Sequence, residues 1–572
     1  MVSPNLLKKQ SKVTGLATND DTKRLFQAIY QDLEAKQVSP EDEAPKIAVS
    51  ELVSKVAFFY EKIRNAIDYD EEHLLRKNAI IRILKRQVMI EGVLKHNTPD
   101  ELAKHLIVEL IRGAYLPNNS VPEAKIGEVA RLLEKYFVLK GFVQANINDQ
   151  IGLRKDITKA DQLIKQKNQA TTLIMSLAAC EIEESLAKNL VKQAVVSNMF
   201  NWMREFVQFA PELPAQEERE IQLYLSVARN YLKYDEDMLN FVLFKYYNEN
   251  WARKDAPKLD EASIKIIADA FPRLKEEIAR QLKYPFHHKI DRIVKKYSLY
   301  YAVLTETVDG NPSQVYNELH QDETLFYAAA TKVCNAKYKK AKSKLWRAAI
   351  RSIIYIFLTK SIFVLLIEIP AIRLFGEQLN YVSLGINISF PAVFLFFLVL
   401  FTRTPGKANT QQIINGIKEL SFAGYERKQP LIIRGKTKRS FLINGFFNLL
   451  YVATFFVSTY LIIAGLTAIG FTWVSIIIFM FFLAFVSFFS VVVTRNIKDL
   501  IVIERKENLF TFLVDLFYMP VIVAGRWLSR NVSRVNIFVF IFDFIIEAPF
   551  KVLVDVAEDW TKYIRERKEN VV

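Results

Sequence analysis

The residues of this sequence that most need a chemical explanation are ionisable groups set inside apolar runs. Lys360 stands near the centre of an apolar stretch from about 352 to 370, and Glu368 lies near its end. A charged side chain at bilayer depth costs roughly 2.5–3.5 kcal/mol on insertion scales, so each wants a partner or a wet cavity. Eight residues separate them, about 12 Å along a helix axis and about 80° around it, which predicts that they do not pair with each other. Asp515, Asp543 and Glu547 in later apolar segments are the carboxylates left for Lys360. Asp543, Glu547, Lys551 and Asp555 recur every four residues. On a helix that spacing makes one stripe and sets Glu547 to pair with Lys551, although Pro549 would kink it. Such a stripe reads either as the lining of an ion or lipid path or as salt-bridged contact between helices and headgroups, and the second use is the commoner. Lys360, Glu368, Asp515, Asp543, Glu547 and Lys551 therefore form a candidate intramembrane polar network.

Catalytic signatures are missing. No GxG occurs, so there is no dinucleotide fingerprint, and neither GxSxG nor HExxH is present. Gly435-Lys436-Thr437 matches the end of a phosphate-binding loop, but the earlier glycine position holds Pro430. Of six histidines only His287 and His288 are adjacent, and helix neighbours point about 100° apart, a poor start for a shared metal. The acidic cluster Glu181, Glu183 and Glu184 reads as a solvated helix face. Two cysteines, Cys180 and Cys334, rule out a disulfide framework and suit a reducing compartment. No catalytic residue, metal or cofactor is expected.

The elements that would position the charged groups are membrane helices. The chain has 572 residues, 51% hydrophobic and 24% charged, with 42 Phe. These shares coexist because the apolar residues are segregated. Lys+Arg against Asp+Glu is 50 against 47 over residues 1–340 and 27 against 15 over 341–572, so most of the net charge of +15 lies in the second part. Nucleic-acid binders carry such charge on a soluble domain, whereas here it flanks apolar spans, so no nucleic acid is expected. A span needs about 20 apolar residues. Four stretches qualify, near 352–370, 383–402, 442–464 and 472–494, the last two separated at Gly465 and Gly470. Two weaker segments, about 509–523 and 535–558, read as a re-entrant or interfacial hairpin joined by a linker carrying Arg526, Arg530 and Arg534; spans five and six are the alternative.

Charge orients this arrangement. The loop between spans two and three is rich in cations, among them Arg434, Lys436, Lys438 and Arg439, and a run including Lys339, Lys340, Lys342, Lys344 and Arg347 precedes span one. Cytoplasmic flanks carry such excesses, so both termini are expected inside, and no cleavable signal is apparent. These cations, with Arg526, Arg530 and Arg534, are the candidate contacts to anionic lipid headgroups.

Residues 21–340, after a flexible stretch 1–20, read as a soluble helical domain ahead of a membrane domain at 341–572. Thr98-Pro99-Asp100-Glu101 is a capping box, and Ser120-Val121-Pro122-Glu123 reads as another. Asp70 is the expected cap of the helix that follows it, and Leu52 to Ile63 carries helical spacing. The stretch from about Ala160 to Val196 reads as one long helix packed in a bundle, with a dimeric coiled coil as the alternative. The expected fold is all-α, a soluble helical domain joined to a polytopic membrane domain. The function this suggests is a membrane-anchored scaffold whose helical domain meets a protein partner or a second copy. An oligomeric channel or transporter using the intramembrane charges is the alternative, and a lipid-modifying enzyme a distant third.

Overall fold

A computed structural model of the chain describes residues 19–37, 45–50, 71–89, 98–152, 157–187, 190–211, 213, 218–251, 261–309, 323–422, 425, 427, 429–435, 441–503 and 508–533, and isolated positions besides. It is all-α apart from two three-residue strands, and it divides into two compact units. The helical unit comprises 20–298 and 428–433, and the membrane unit 299–427 and 434–537, with the terminal stretches 538–572 and 1–19 divided between them.

The helical unit contains α1 (Asp20–Gln37), α2 (Glu72–Met89), α3 (Pro99–Arg112), α4 (Ala124–Gly152), α5 (Ile157–Leu186), α6 (Leu190–Phe206), α7 (Arg219–Asn230), α8 (Glu236–Tyr247) and α9 (Glu261–Leu282). The first part of α10 (His287–Asp309) also belongs to it. Its centre is α5, which packs against α2, α4 and α8. Ala170, Ile174, Leu177, Ala178 and Cys180 are buried there in the core of the bundle. The long helix read over 160–196 is interrupted: α5 stops at Leu186 and α6 starts at Leu190.

At Thr98 the capping box forms, its hydroxyl accepting from the Glu101 amide at 3.3 Å and the Glu101 carboxylate accepting from the Thr98 amide at 3.0 Å. The box read at Ser120 does not form. Its hydroxyl donates to the Pro117 carbonyl and α4 begins only at Ala124, because the backbone at 122 pairs with Lys46 instead. Asp70 and most of 51–70 lie outside the described residues.

Strand pairing is the feature that no alternation announced. In the helical unit, β1 (Val207–Phe209) pairs in parallel with β2 (Leu431–Ile433), in register Val207 to Leu431, and the Ala210 amide extends the ladder to the Ile433 carbonyl. β2 comes from the basic loop between the second and third apolar helices, so that loop contributes a piece of the helical unit's fold.

Among the described residues, four helices of the membrane unit are long and apolar enough to cross a bilayer. The first is the last part of α11, which runs Glu323–Phe363, passes through a π segment at Val364–Glu368 and ends in Ile369–Leu374. The others are α12 (Tyr381–Leu400), α14 (Phe441–Ala468) and α15 (Trp473–Lys498), while α13 (Lys407–Ser421) is amphipathic. The turn between α14 and α15 is made at Gly470, whose φ of 85° favours glycine; Gly465 stays inside α14. α16 (Leu509–Ser533) corrects the reading of the late segments. It continues through positions 526 and 530, so those arginines are helical and not in a linker. Residues 534–555, the second late segment, lie outside the described residues.

Candidate functional site

Lys360 and Glu368 are both fully buried, and they meet. The Lys360 Nζ lies 3.7 Å from the Glu368 Oε2. This overturns the expectation of no pairing, and the π segment is the physical reason. An i→i+5 turn advances less around the axis per residue than the roughly 100° of an α-helix, so its five residues take back most of the ~80° offset. Local sequence favours that winding: Pro370 has no N–H to give the Leu366 carbonyl, and the Ile369 amide reaches back five residues to Val364.

Two other apolar helices complete the arrangement. The Asn387 Nδ2 on α12 donates to the Glu368 Oε1 at 2.6 Å, and the Ser475 Oγ on α15 donates to the same oxygen at 2.7 Å. Phe482 of α15 presents its ring face 4.1 Å from the Lys360 Nζ, a cation–π contact strengthened by desolvation. Asn387 and Ser475 are also fully buried. The Lys360 Nζ, Glu368 Oε2 and Asn387 Oδ1 have no hydrogen-bond partner among the described residues. The group is thus an ion pair closed by three helices, with Asn387, Ser475 and Phe482 as members that charge-counting passed over. Asn387 could have been found as the one amide in the apolar run of α12.

The remaining network candidates fall outside what the structure describes. Asp515 lies on α16 with its side chain outside the described set, and Asp543, Glu547 and Lys551 lie outside the described residues altogether. Of the candidate lipid contacts, Lys339, Lys340, Lys342, Lys344 and Arg347 are exposed along α11, Arg434 is exposed beside β2, and Arg526 is exposed on α16. The Arg530 side chain and residues Lys436, Lys438, Arg439 and Arg534 are outside the described set.

In the helical unit, the acidic cluster of α5 is ion-paired, and Glu183 within it is buried. Glu181 accepts from the Tyr136 hydroxyl at 2.6 Å and the Trp251 indole at 2.9 Å, with the Lys135 ammonium at 2.9 Å. The Arg76 Nε donates to Glu183 at 2.7 Å, and Lys245 donates to Glu184 at 2.7 Å. Nearby, buried Lys77 pairs with Asp235 and with Asp237. Each carboxylate meets a cation from a different neighbouring helix, which a one-helix reading of α5 could not see. Burial pushes the Glu183 carboxyl up to about 7, against the opposing pull of Arg76.

His287, His288 and Asp291 gather their ligand atoms within 4.8 Å. The Asp291 carboxylate is already engaged, with Arg229 on both oxygens at 2.8 and 2.9 Å and Ser226 at 2.6 Å. A cation there would compete with a guanidinium. Comparison with protein-family models, with curated proteins and with solved structures found no match.

Proposed function

We propose that this membrane protein is an anchored interaction platform, whose apolar helices serve as the anchor and whose helical unit offers the surface for a protein partner or a second copy. The observation that carries this is the closure of the Lys360 cluster. Its cation, carboxylate, amide and hydroxyl are all fully buried, so they tie three helices together as packed groups. A conduit for ions requires polar groups that face water. The pairing of β1 with β2 supports the same reading, since it makes a membrane loop part of the helical unit's fold. In the proposed topology both termini and the helical unit lie on the cytoplasmic side, as the charge bias of the flanks requires.

An oligomeric channel or transporter is the alternative, favoured by the three polar atoms of the cluster that lack hydrogen-bond partners. Flux separates the two. Liposomes holding the full chain are expected to pass monovalent ions no faster than protein-free liposomes. Ion flux that is abolished by Lys360→Leu in a correctly inserted protein overturns the platform reading. Crosslinking in the native membrane is expected to recover a partner through residues of 20–298.

A further inference from the structure

The exposed face of α11 changes character abruptly along its length. Lys340, Lys344, Arg347 and Arg351 succeed one another at intervals of four, three and four residues. At about 100° per residue they fall within an arc of about 60°. All four are exposed, and none has an ion-pair partner among the described residues. The same face then continues as Ile354, Leu358, Ile362 and Leu365, which are 55%, 55%, 56% and 64% exposed. From Ile354 to Leu365 is about 16 Å, close to half of the roughly 30 Å hydrocarbon core. The opposite face carries Leu345, Ala349, Ile356, Lys360 and Val364, all buried.

Other helices bring cations to the same level. The rings of Phe363 and Phe482 meet at 5.4 Å, and α11 and α15 run antiparallel. Counting thirteen residues from that contact along each helix, at the same rise, sets exposed Arg495 level with Ile350. Trp346 meets Phe396 at 6.1 Å, and exposed Arg403 follows three residues after the end of α12.

We infer that this face of α11 binds an anionic glycerophospholipid lengthwise, its phosphate on Lys344, Arg347 and Arg351 and an acyl chain along Ile354, Leu358 and Ile362. A folded acidic protein would match the cations and not the apolar lane, and a neutral lipid the reverse. An amphiphile with an anionic head matches both parts of one continuous face. The inference rests on the apolar helices lying in a bilayer and not on the platform role, so its failure leaves the flux result untouched.

The test uses the full chain in detergent micelles, exchanged against phosphatidylglycerol or phosphatidylcholine of identical acyl chains, with bound lipid counted by native mass spectrometry. Phosphatidylglycerol is expected to be retained at least about tenfold more tightly, and the triple change Lys344→Gln, Arg347→Gln and Arg351→Gln to remove that preference. Single Arg347→Gln and Arg351→Gln variants, each at an exposed position, are expected to remove part of it, and they decide the matter if the triple variant does not fold. Glycerol 3-phosphate, which has the head and no chains, is expected not to compete. Equal retention of the two lipids, a preference that survives these substitutions, or competition by glycerol 3-phosphate would each overturn the inference.

Discussion

Lys360 lies nine residues beyond Arg351, about 14 Å further along α11, on the buried face turned toward α15. Its value to the fold is conditional. A buried ion pair is worth little against an apolar replacement of both partners, but removing one partner strands the other and costs about 3–5 kcal/mol. Among the described residues, Glu368 would keep Asn387 and Ser475 if the ammonium were lost. Lys360→Met is therefore expected to lower the thermal unfolding midpoint in detergent strongly, and adding Glu368→Gln to restore much of the loss. A double variant as unstable as the sum of the two singles would mean that the pair is not coupled. Glu183 gives a second expectation, with the opposite dependence on ionisation. Its folded-state value of about 7 lies above the ordinary 4.5, so its stabilising contribution is complete below the unfolded value. That contribution is lost as pH rises toward 7, because the unfolded chain ionises first. Urea unfolding of the helical unit followed from pH 5 to 7, within the full chain, should show stability falling, and Glu183→Gln should flatten the slope.

Among the elements, α15 and α16 approach each other closely, and a glycine permits it. A Cβ at Gly525 would run into the Ala484 carbonyl and the Phe488 Cβ, both on α15. Small residues are what allow membrane helices to pack backbone against backbone. α14 in turn packs against α16, where the Ser458 hydroxyl donates to the Phe517 carbonyl. Gly525→Val is expected to part α16 from α15 at a cost of about 1–3 kcal/mol, the usual penalty of overpacking. A crosslink between cysteines placed at Ser490 and Tyr518, whose hydroxyls meet at 3.5 Å across the same two helices, should weaken accordingly; an unchanged crosslink and midpoint would show that the glycine is not what sets the approach. At the start of α16's approach, Asn409 of α13 holds the preceding chain like a strand partner, donating to the Leu500 carbonyl and accepting from the Val502 amide, each at 2.8 Å.

At the scale of the whole molecule the open question is which way the four apolar helices run. Both native thiols are buried and therefore poorly reactive, with burial holding the Cys334 thiol at about 11 and the Cys180 thiol well above its usual range. Introduced cysteines will report cleanly. In sealed cells or right-side-out vesicles, Ile469→Cys at the Gly470 turn is expected to react with a membrane-impermeant maleimide. Lys340→Cys is expected to react only after permeabilisation. The reverse pattern would invert the proposed topology, and with it the leaflet in which the lipid lane of α11 lies.

The sequence by itself determined what depends on local pattern. Segregated apolar runs fixed an all-α membrane protein with four long apolar helices, because hydrocarbon leaves a backbone almost no other way to satisfy its polar groups. The Thr98 cap followed from four adjacent residues. What the tertiary structure decided were relations between elements. The pairing of Lys360 with Glu368 needed a π segment that no α-helical spacing foretells, and the amide and hydroxyl that support Glu368 come from positions 19 and 107 residues away. The carboxylates of α5 looked solvated until α2, α4 and α8 brought their cations. The strand at 431–433 exists only because 207–209 lies beside it. A buried charge is settled by whatever reaches it across the fold, and periodicity along one helix carries no record of that.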